Sequence, residues 1–199
     1  MRKIVVASGN KGKISEISEI LKDLPLEIIP MSDLWNPVPD IEENGTTFFD
    51  NARIKADYVF NRSGLWALAD DSGLEVDSLG GEPGVYSARY AGVQGDNEAN
   101  NLLLLKKLNG IPHHLRTARF RCVMVLKTGE SDYITSEGTC DGYIGFEQKG
   151  RMGFGYDPLF TPVQETLTFA ELSSEKKNQI SHRGKALTHL CRKLHEFDL

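Results

Sequence analysis

Ile4-Val5-Val6-Ala7-Ser8-Gly9-Asn10-Lys11-Gly12-Lys13-Ile14 stands at the start of the chain, and the change of period inside it decides the fold class. Residues 3–7 are a short β-branched run, the pattern of a buried strand. Ser8-Gly9-Asn10 stops that run. Ile14, Ile17, Ile20, Leu21 and Leu24 then recur at helical spacing until Pro25, and Leu26-Glu27-Ile28-Ile29 reads as a second strand. Strand, glycine turn, helix and strand in that order predict an α/β fold.

The rest of the chain continues the alternation. Residues 34–45 hold Pro37, Pro39, Asn44 and Gly45 and read as a loop. Thr46 or Thr47 caps a helix running to about Asn61, with Phe48, Ala52, Ala56, Val59 and Phe60 inward. Trp66-Ala67-Leu68-Ala69 is a short apolar strand that delivers Asp70-Asp71-Ser72-Gly73 at its end. The glycine-rich segment 79–95 reads as a long ordered loop, and Asp96 caps a helix carrying Ala99, Leu102, Leu103 and Leu105. Residues 117–126 alternate as a strand does, with a partner strand near 132–139. The last helix spans about 183–197, with Leu187, Leu190, Cys191, Leu194 and Phe197 as its stripe. The architecture this predicts is a single domain over residues 1–199: a mixed twisted sheet flanked by helices, in two lobes around a central cleft.

Bulk properties narrow the function. At 199 residues, with 40% hydrophobic and 26% charged residues, the chain has material for a real core. The net charge of −5 argues against broad attraction to nucleic acid or to an anionic membrane, so a bound polyanion needs local cations or a metal. No segment approaches the roughly 18 apolar residues of a membrane span. Cys122, Cys140 and Cys191 have neither zinc-knuckle nor redox spacing and read as reduced thiols of a cytosolic protein.

Five segments carry residues suited to chemistry. Ser8-Gly9-Asn10-Lys11-Gly12-Lys13 puts a glycine turn and Lys13 at a helix N-terminus, where backbone N–H groups and a partial positive charge suit a phosphate. It is not a Walker A loop: only Asn10 and Lys11 separate Gly9 from Gly12, and Ile14 follows Lys13. Taken alone, an ordinary strand–helix turn would read the same way. Asp70-Asp71 is a pair of hard oxygen ligands suited to Mg²⁺, with the N–H groups of Ser72-Gly73 available to an anion; an exposed acidic turn is the alternative. Glu43 can complete a metal site and Lys55 can balance its charge. Gly153-Phe154-Gly155-Tyr156-Asp157-Pro158 permits close approach to a flat ring, on which Phe154 can stack. Lys177 with Ser181-His182-Arg183-Gly184 offers donors to a purine edge or a phosphate, or simply caps a helix.

In order along the chain these segments resemble the inosine triphosphate/xanthosine triphosphate pyrophosphatase family. Ser8 to Lys13, Glu43, Gly45, Asn51-Ala52, Lys55-Ala56, Ala69 to Leu74, Gly84 to Tyr90, Gly153 to Pro158 and Ile180 to Gly184 carry the likeness. Ser8 and Asn44 stand where threonine is common in that family. The resemblance implies a homodimeric, Mg²⁺-dependent hydrolase that cuts ITP, dITP and XTP between the α- and β-phosphates. It also implies roles. Ser8, Gly9, Asn10, Lys11, Gly12 and Lys13 hold the triphosphate. Glu43 and Asp71 hold the metal, Asp71 takes a proton from water, and Asp70 and Lys55 support it. Ser72, Phe154, Gly155, Tyr156, Asp157, Lys177, His182 and Arg183 bind the rest of the nucleotide.

Overall fold

The computed structural model describes residues 1–196. Phe197, expected in the last helical stripe, lies outside the described residues. Six strands share one sheet in the order β2-β1-β3-β4-β5-β6. They are β1 (Arg2–Val6), β2 (Leu26–Pro30), β3 (Trp66–Val76), β4 (Thr117–Lys127), β5 (Tyr133–Ile144) and β6 (Phe160–Pro162). The helices are α1 (Lys11–Leu21), α2 (Phe48–Ser63), α3 (Asn97–Lys107), α4 (Ser174–Ile180) and α5 (His182–His195). β1 is parallel to β2 and to β3, whereas β5 and β6 are antiparallel, so the sheet is mixed as expected. Among the described residues no helix is long and apolar enough to cross a membrane.

Contacts divide the chain into two compact units. Unit 1 takes Met1–Asp71, Cys122–Gly138 and the segment from Arg183 onward; unit 2 takes Ser72–Arg121 and Thr139–His182. In unit 1 the β1 side chains alternate between two cores, because successive strand residues point to opposite faces. Ile4 and Val6 join Leu68, Ile17 and Leu21 of α1, and Leu187, Leu190 and Leu194 of α5. Val5 and Ala7 join Ala67, Ala69, and Ala52, Ala56 and Val59 of α2. Both faces are covered, which is why β1 reads as an unbroken apolar run rather than an alternating one.

Side-chain caps start α1 and α2 of unit 1, the second at one of the two threonines expected. Asn10 caps α1, its Oδ1 accepting the Lys13 N–H at 3.1 Å. Thr47 caps α2 by accepting the Asp50 N–H at 3.1 Å, and Gly64 ends it in the left-handed conformation at φ 68°. Replacing such a cap by alanine removes one satisfied N–H. Thr47→Ala is therefore expected to cost about 1 kcal/mol in urea unfolding, with the fold retained.

Unit 2 has its own core. Leu74, Val76, Leu104, Leu108, Phe120, Phe160 and Phe169 pack together, with the Phe120 and Phe160 rings edge-on at 4.7 Å. Of the leucines expected on α3, Leu105 packs partly buried against this core. Leu102 is exposed, and the inward face is Asn100, Asn101 and Leu104. The asparagines face inward because they carry backbone partners: Asn100 accepts the Ala91 N–H at 2.7 Å, and Asn101 donates to the Gly155 carbonyl at 3.1 Å. β6 and α4 were not anticipated, being three and seven residues long.

Candidate active site

The main correction to the sequence reading concerns Asp70-Asp71-Ser72-Gly73. These residues are not a turn after a short strand: β3 runs straight through them to Val76. Two consequences follow. Ser72 and Gly73 lie in extended strand, so they do not form the anion-binding turn expected of them. And Asp70 and Asp71, as neighbours in a strand, point to opposite faces of the sheet. The pleat separates two carboxylates that would otherwise repel, and gives each its own set of partners.

Asp70 points to the face that carries α1 and α5. Its Oδ2 meets Lys13 Nζ at 3.0 Å and accepts from Arg183 Nη2 at 3.1 Å and Nε at 3.3 Å. Burial alone would raise its pKa, but Lys13, then Arg183 and Lys55, outweigh that and hold the carboxyl well below the ordinary carboxylate range. Arg183 Nη1 also donates to Glu16 Oε2. Arg183 is only 1% exposed. Sequence reading placed Arg183 with the purine edge; its guanidinium instead spans Asp70 and Glu16, because α5 begins against α1.

Asp71 points to the α2 face. Asn51 Nδ2 donates to its Oδ2 at 3.1 Å, and Lys55 Nζ lies 3.6 Å from its Oδ1. The same ammonium bonds Glu43 Oε2 at 3.1 Å. Burial raises the Asp71 pKa, and Glu43 adds to it; Lys55, Lys13 and Asn51 oppose but do not cancel the rise. Burial works to lower the Lys55 pKa, yet Asp71, Glu43 and Asp70 together raise it, so Lys55 is an ammonium. Two adjacent aspartates thus have their proton affinities pushed in opposite directions, the pattern that separates acid–base roles.

Glu43 and Asp71 already share one cation in Lys55. That hard-oxygen pair fits a divalent ion such as Mg²⁺, which keeps several waters and takes further oxygens from substrate. Among the described residues there is no cluster of three or more His, Cys, Asp or Glu side chains able to hold a metal, which argues against an all-protein cage of the structural zinc type.

The first loop completes this set. β1 pairs Val6 with Leu68, and Ala7 N–H donates to the Leu68 carbonyl at 2.8 Å, so Asp70 and Asp71 lie just past the carboxyl end of β1. α1 carries the chain from β1 to β2 on one side while β3 lies on the other. In open α/β sheets this reversal of strand order is where ligands bind. Ser8 Oγ accepts the Asn10 N–H at 3.1 Å, fixing the turn. Lys11 and Gly12 are the first residues of α1, where N–H groups have no intrahelical acceptor.

The remaining candidates belong to unit 2. Asp157 Oδ2 accepts from Phe154 N–H at 2.8 Å and Lys177 Nζ at 2.7 Å, and Lys177 lies 4.9 Å from the Phe154 ring centroid. Gly153 and Gly155 have φ of 78° and 62°; a Cβ on Gly153 would overlap the Asp157 carboxylate. Tyr156 and Asp157 were expected to touch the nucleotide. Both are buried instead, and the Tyr156 hydroxyl donates to the Ser87 carbonyl at 2.9 Å, so they anchor the turn. His182 is 4% exposed and stacks on Phe120 at 4.7 Å and 10°. Within this turn Gly153 is exposed, and Phe154, Gly155 and Pro158 are half-buried.

Sequence reading missed Glu16 and assigned no role to Asn51. The available signal for Glu16 was its position one turn after Lys13, a second charge on a face otherwise built from Ile14, Ile17 and Leu21. For Asn51 it was an amide one turn before Lys55, on a buried helix face.

Comparison with known proteins identifies the family. The Ham1 family profile matches residues 4–193. A dITP/XTP pyrophosphatase of Desulforamulus reducens is 51% identical over 185 residues, covering 93% of this chain and 92% of the relative. One from Haemophilus influenzae is 48% identical, covering 97% and 99%. A solved HAM1 protein structure from Coxiella burnetii superposes with a TM-score of 0.88 at 42% identity, over 98% of this chain and all of the other. With a family profile over nearly the whole chain and relatives about half identical to it, the chain belongs to the Ham1 family.

Proposed function

We propose that this chain is a divalent-metal-dependent nucleoside-triphosphate pyrophosphatase. It hydrolyses non-standard purine nucleotides such as ITP, dITP and XTP to the monophosphate and pyrophosphate, clearing them from the nucleotide pool. The observation that carries the reading is the divided aspartate pair, with Asp70 held as a carboxylate by Lys13 and Arg183 and Asp71 placed between Asn51 and Lys55 with a raised proton affinity. Relatives named as dITP/XTP pyrophosphatases support the substrate class.

In this reading the N–H groups of Lys11 and Gly12, with the N-terminal partial charge of α1, meet phosphate oxygens. Lys13 is held in place by Asp70 and keeps two further N–H donors for the same anion. Glu43 and Asp71 would hold Mg²⁺, and the ion would supply neutralisation of the charge that develops on the phosphate. Asp71 accepts a proton from the attacking water. Lys55 balances the carboxylates before and after that transfer. Positioning and electrostatic stabilisation supply most of the acceleration in such a site.

Phe154 stacks on the base, and Lys177 with backbone N–H groups donates to its edge. Hypoxanthine and xanthine offer a 6-oxo acceptor there, whereas adenine presents a donor. A site built on donors rejects a second donor strongly, because its polar groups are left unpaired. A homodimer acting in the cytosol is part of the same reading and rests on the family assignment alone.

The test is a panel of ITP, XTP, GTP and ATP with Mg²⁺ and identification of the released phosphate. The reading expects pyrophosphate from ITP and XTP, turnover of ATP lower by at least tenfold, and loss of activity with EDTA that Mg²⁺ restores. Orthophosphate as product, or equal rates on all four, would overturn it.

A further inference from the structure

Asn51 is 0% exposed, and both ends of its amide are engaged. Its Nδ2 donates to Asp71 Oδ2 at 3.1 Å, while its Oδ1 accepts the Gly45 N–H at 2.8 Å. Gly45 lies two residues after Glu43 in the loop that leads to α2. One neutral side chain therefore ties the Asp71 carboxylate to the loop that supplies the neighbouring carboxylate.

The approach is close. A Cβ on residue 45 would lie 2.5 Å from Asp50 Cβ and 2.7 Å from Asn51 Oδ1, so the loop reaches the amide only because residue 45 is glycine. The helix beneath is fixed as well. Thr47 caps the first turn, and the Asn51 N–H donates to the Thr47 carbonyl at 3.2 Å. Lys55 is one turn further along the same face and lies 3.6 Å from Asp71 Oδ1. α2 thus presents an amide to one oxygen of Asp71 and an ammonium to the other. Two donors at fixed spacing on a rigid helix determine the plane of a carboxylate.

We infer that Asn51 is a positioning residue for the reaction: it occupies Asp71 Oδ2 so that Oδ1 is the working oxygen, and it sets the Glu43 loop at the distance the pair requires. The inference rests on the reading of Asp71 as proton acceptor and of Glu43 with Asp71 as metal ligands. An amide is suited to the task because it donates and accepts at once without adding charge. A carboxylate in its place keeps the shape and the acceptor for Gly45 but cannot donate to Asp71. Outer partners of this kind typically account for 10–100-fold in activity or metal affinity.

The experiment is Asn51→Asp, assayed on ITP with saturating Mg²⁺ and paired with a spectrum of the nucleotide-free protein. Expected is a kcat lower by about 10–100-fold, KM for ITP within threefold of wild type, and a thermal midpoint below wild type, because a buried carboxylate beside Asp71 costs stability although the Gly45 bond survives. A role confined to anchoring the loop would leave kcat unchanged, so kcat within threefold of wild type overturns the inference. The spectroscopic reading needs no turnover. The Asn51 side-chain NH₂ pair, assigned in ¹H–¹⁵N spectra by its loss in Asn51→Asp, is expected to shift when Mg²⁺ alone is added and to lose that response in Asp71→Asn. An unresponsive pair in wild type also overturns the inference. If wild-type protein releases no pyrophosphate while this pair still responds to Mg²⁺, the proposed activity fails and only the coupling of Asn51 to the Glu43–Asp71 metal pair stands; if pyrophosphate is released and the pair is silent, the positioning role fails alone.

Discussion

Asp71→Asn is expected to lower kcat for ITP by about 10²–10⁴, the usual loss when a well-placed general base is removed. The substitution conserves volume, and the amide oxygen of residue 71 can still accept from Asn51 Nδ2, so the local geometry survives. What disappears is the negative charge that Lys55 and Glu43 are arranged around, and with it the ability to take a proton. Lys55 retains Glu43 at 3.1 Å, so the ammonium is not stranded. The defect should therefore lie in turnover rather than in stability. Measuring kcat across Mg²⁺ concentrations separates the two contributions: partial recovery at high Mg²⁺ reports the lost ligand, and the residue that does not recover reports the lost base. Near-normal kcat at saturating Mg²⁺ would remove Asp71 from the mechanism.

Asp70→Asn has the opposite profile. Its carboxylate is fully buried between Lys13 and Arg183, and Arg183 is itself buried. Removing one member of such a group leaves buried positive charge uncompensated, which typically costs about 3–5 kcal/mol. Glu16 still pairs with Arg183, which places the expected loss toward the lower end of that range. Urea unfolding at neutral pH measures it. The pH dependence supplies a second check. Because the folded-state pKa of Asp70 is depressed, its contribution is complete above the unfolded aspartate value of about 3.9 and is lost as pH falls through the folded value. The stability gap between wild type and Asp70→Asn should thus be widest near neutrality and should close in acid. A gap that is constant from pH 7 to pH 3 would show that the carboxylate charge is not what holds this region together.

The parts of the fold legible in the sequence are those set by local chemistry. β1 and α1 follow from an apolar run broken by Ser8-Gly9-Asn10, and α2 follows from the threonine at its start and the inward Phe48, Ala52, Ala56 and Val59. β3 was legible only to Ala69. Asp and Gly disfavour strand, yet the chain stays extended through Asp70-Asp71-Ser72-Gly73 because β3 continues beside β4 past the end of β1. Tertiary pairing overrode propensity at the place where the chemistry is concentrated. α3 differs for a related reason: Ala99, Leu102, Leu103 and Leu105 stand out in its sequence, but Asn100 and Asn101 face inward because loop backbone requires donors and acceptors there.

The candidate site was legible as a list of residue types and not as an arrangement. Glu43, Lys55 and Asp71 come together as expected. Arg183 reads locally as one of several donors at a helix start. Its real partners are Asp70 and Glu16, 113 and 167 positions away along the chain, and no spacing rule connects such residues. Tyr156 and Asp157 sit inside a motif that suggests ligand contact; only the packed structure reveals that the first hydroxyl and the second carboxylate are used within the protein.

The three thiols offer a use that has nothing to do with catalysis. Cys122 lies in unit 1 and Cys140 in unit 2, both buried, while Cys191 is half-exposed. Burial, aided by the adjacent Asp70, pushes the Cys122 thiol up to about 12, so alkylating reagents at neutral pH find almost no thiolate there while the protein is closed. With Cys191 replaced by serine, the chain would carry one silent reporter in each half, and the rate at which each is trapped would time the transient breathing of that half separately.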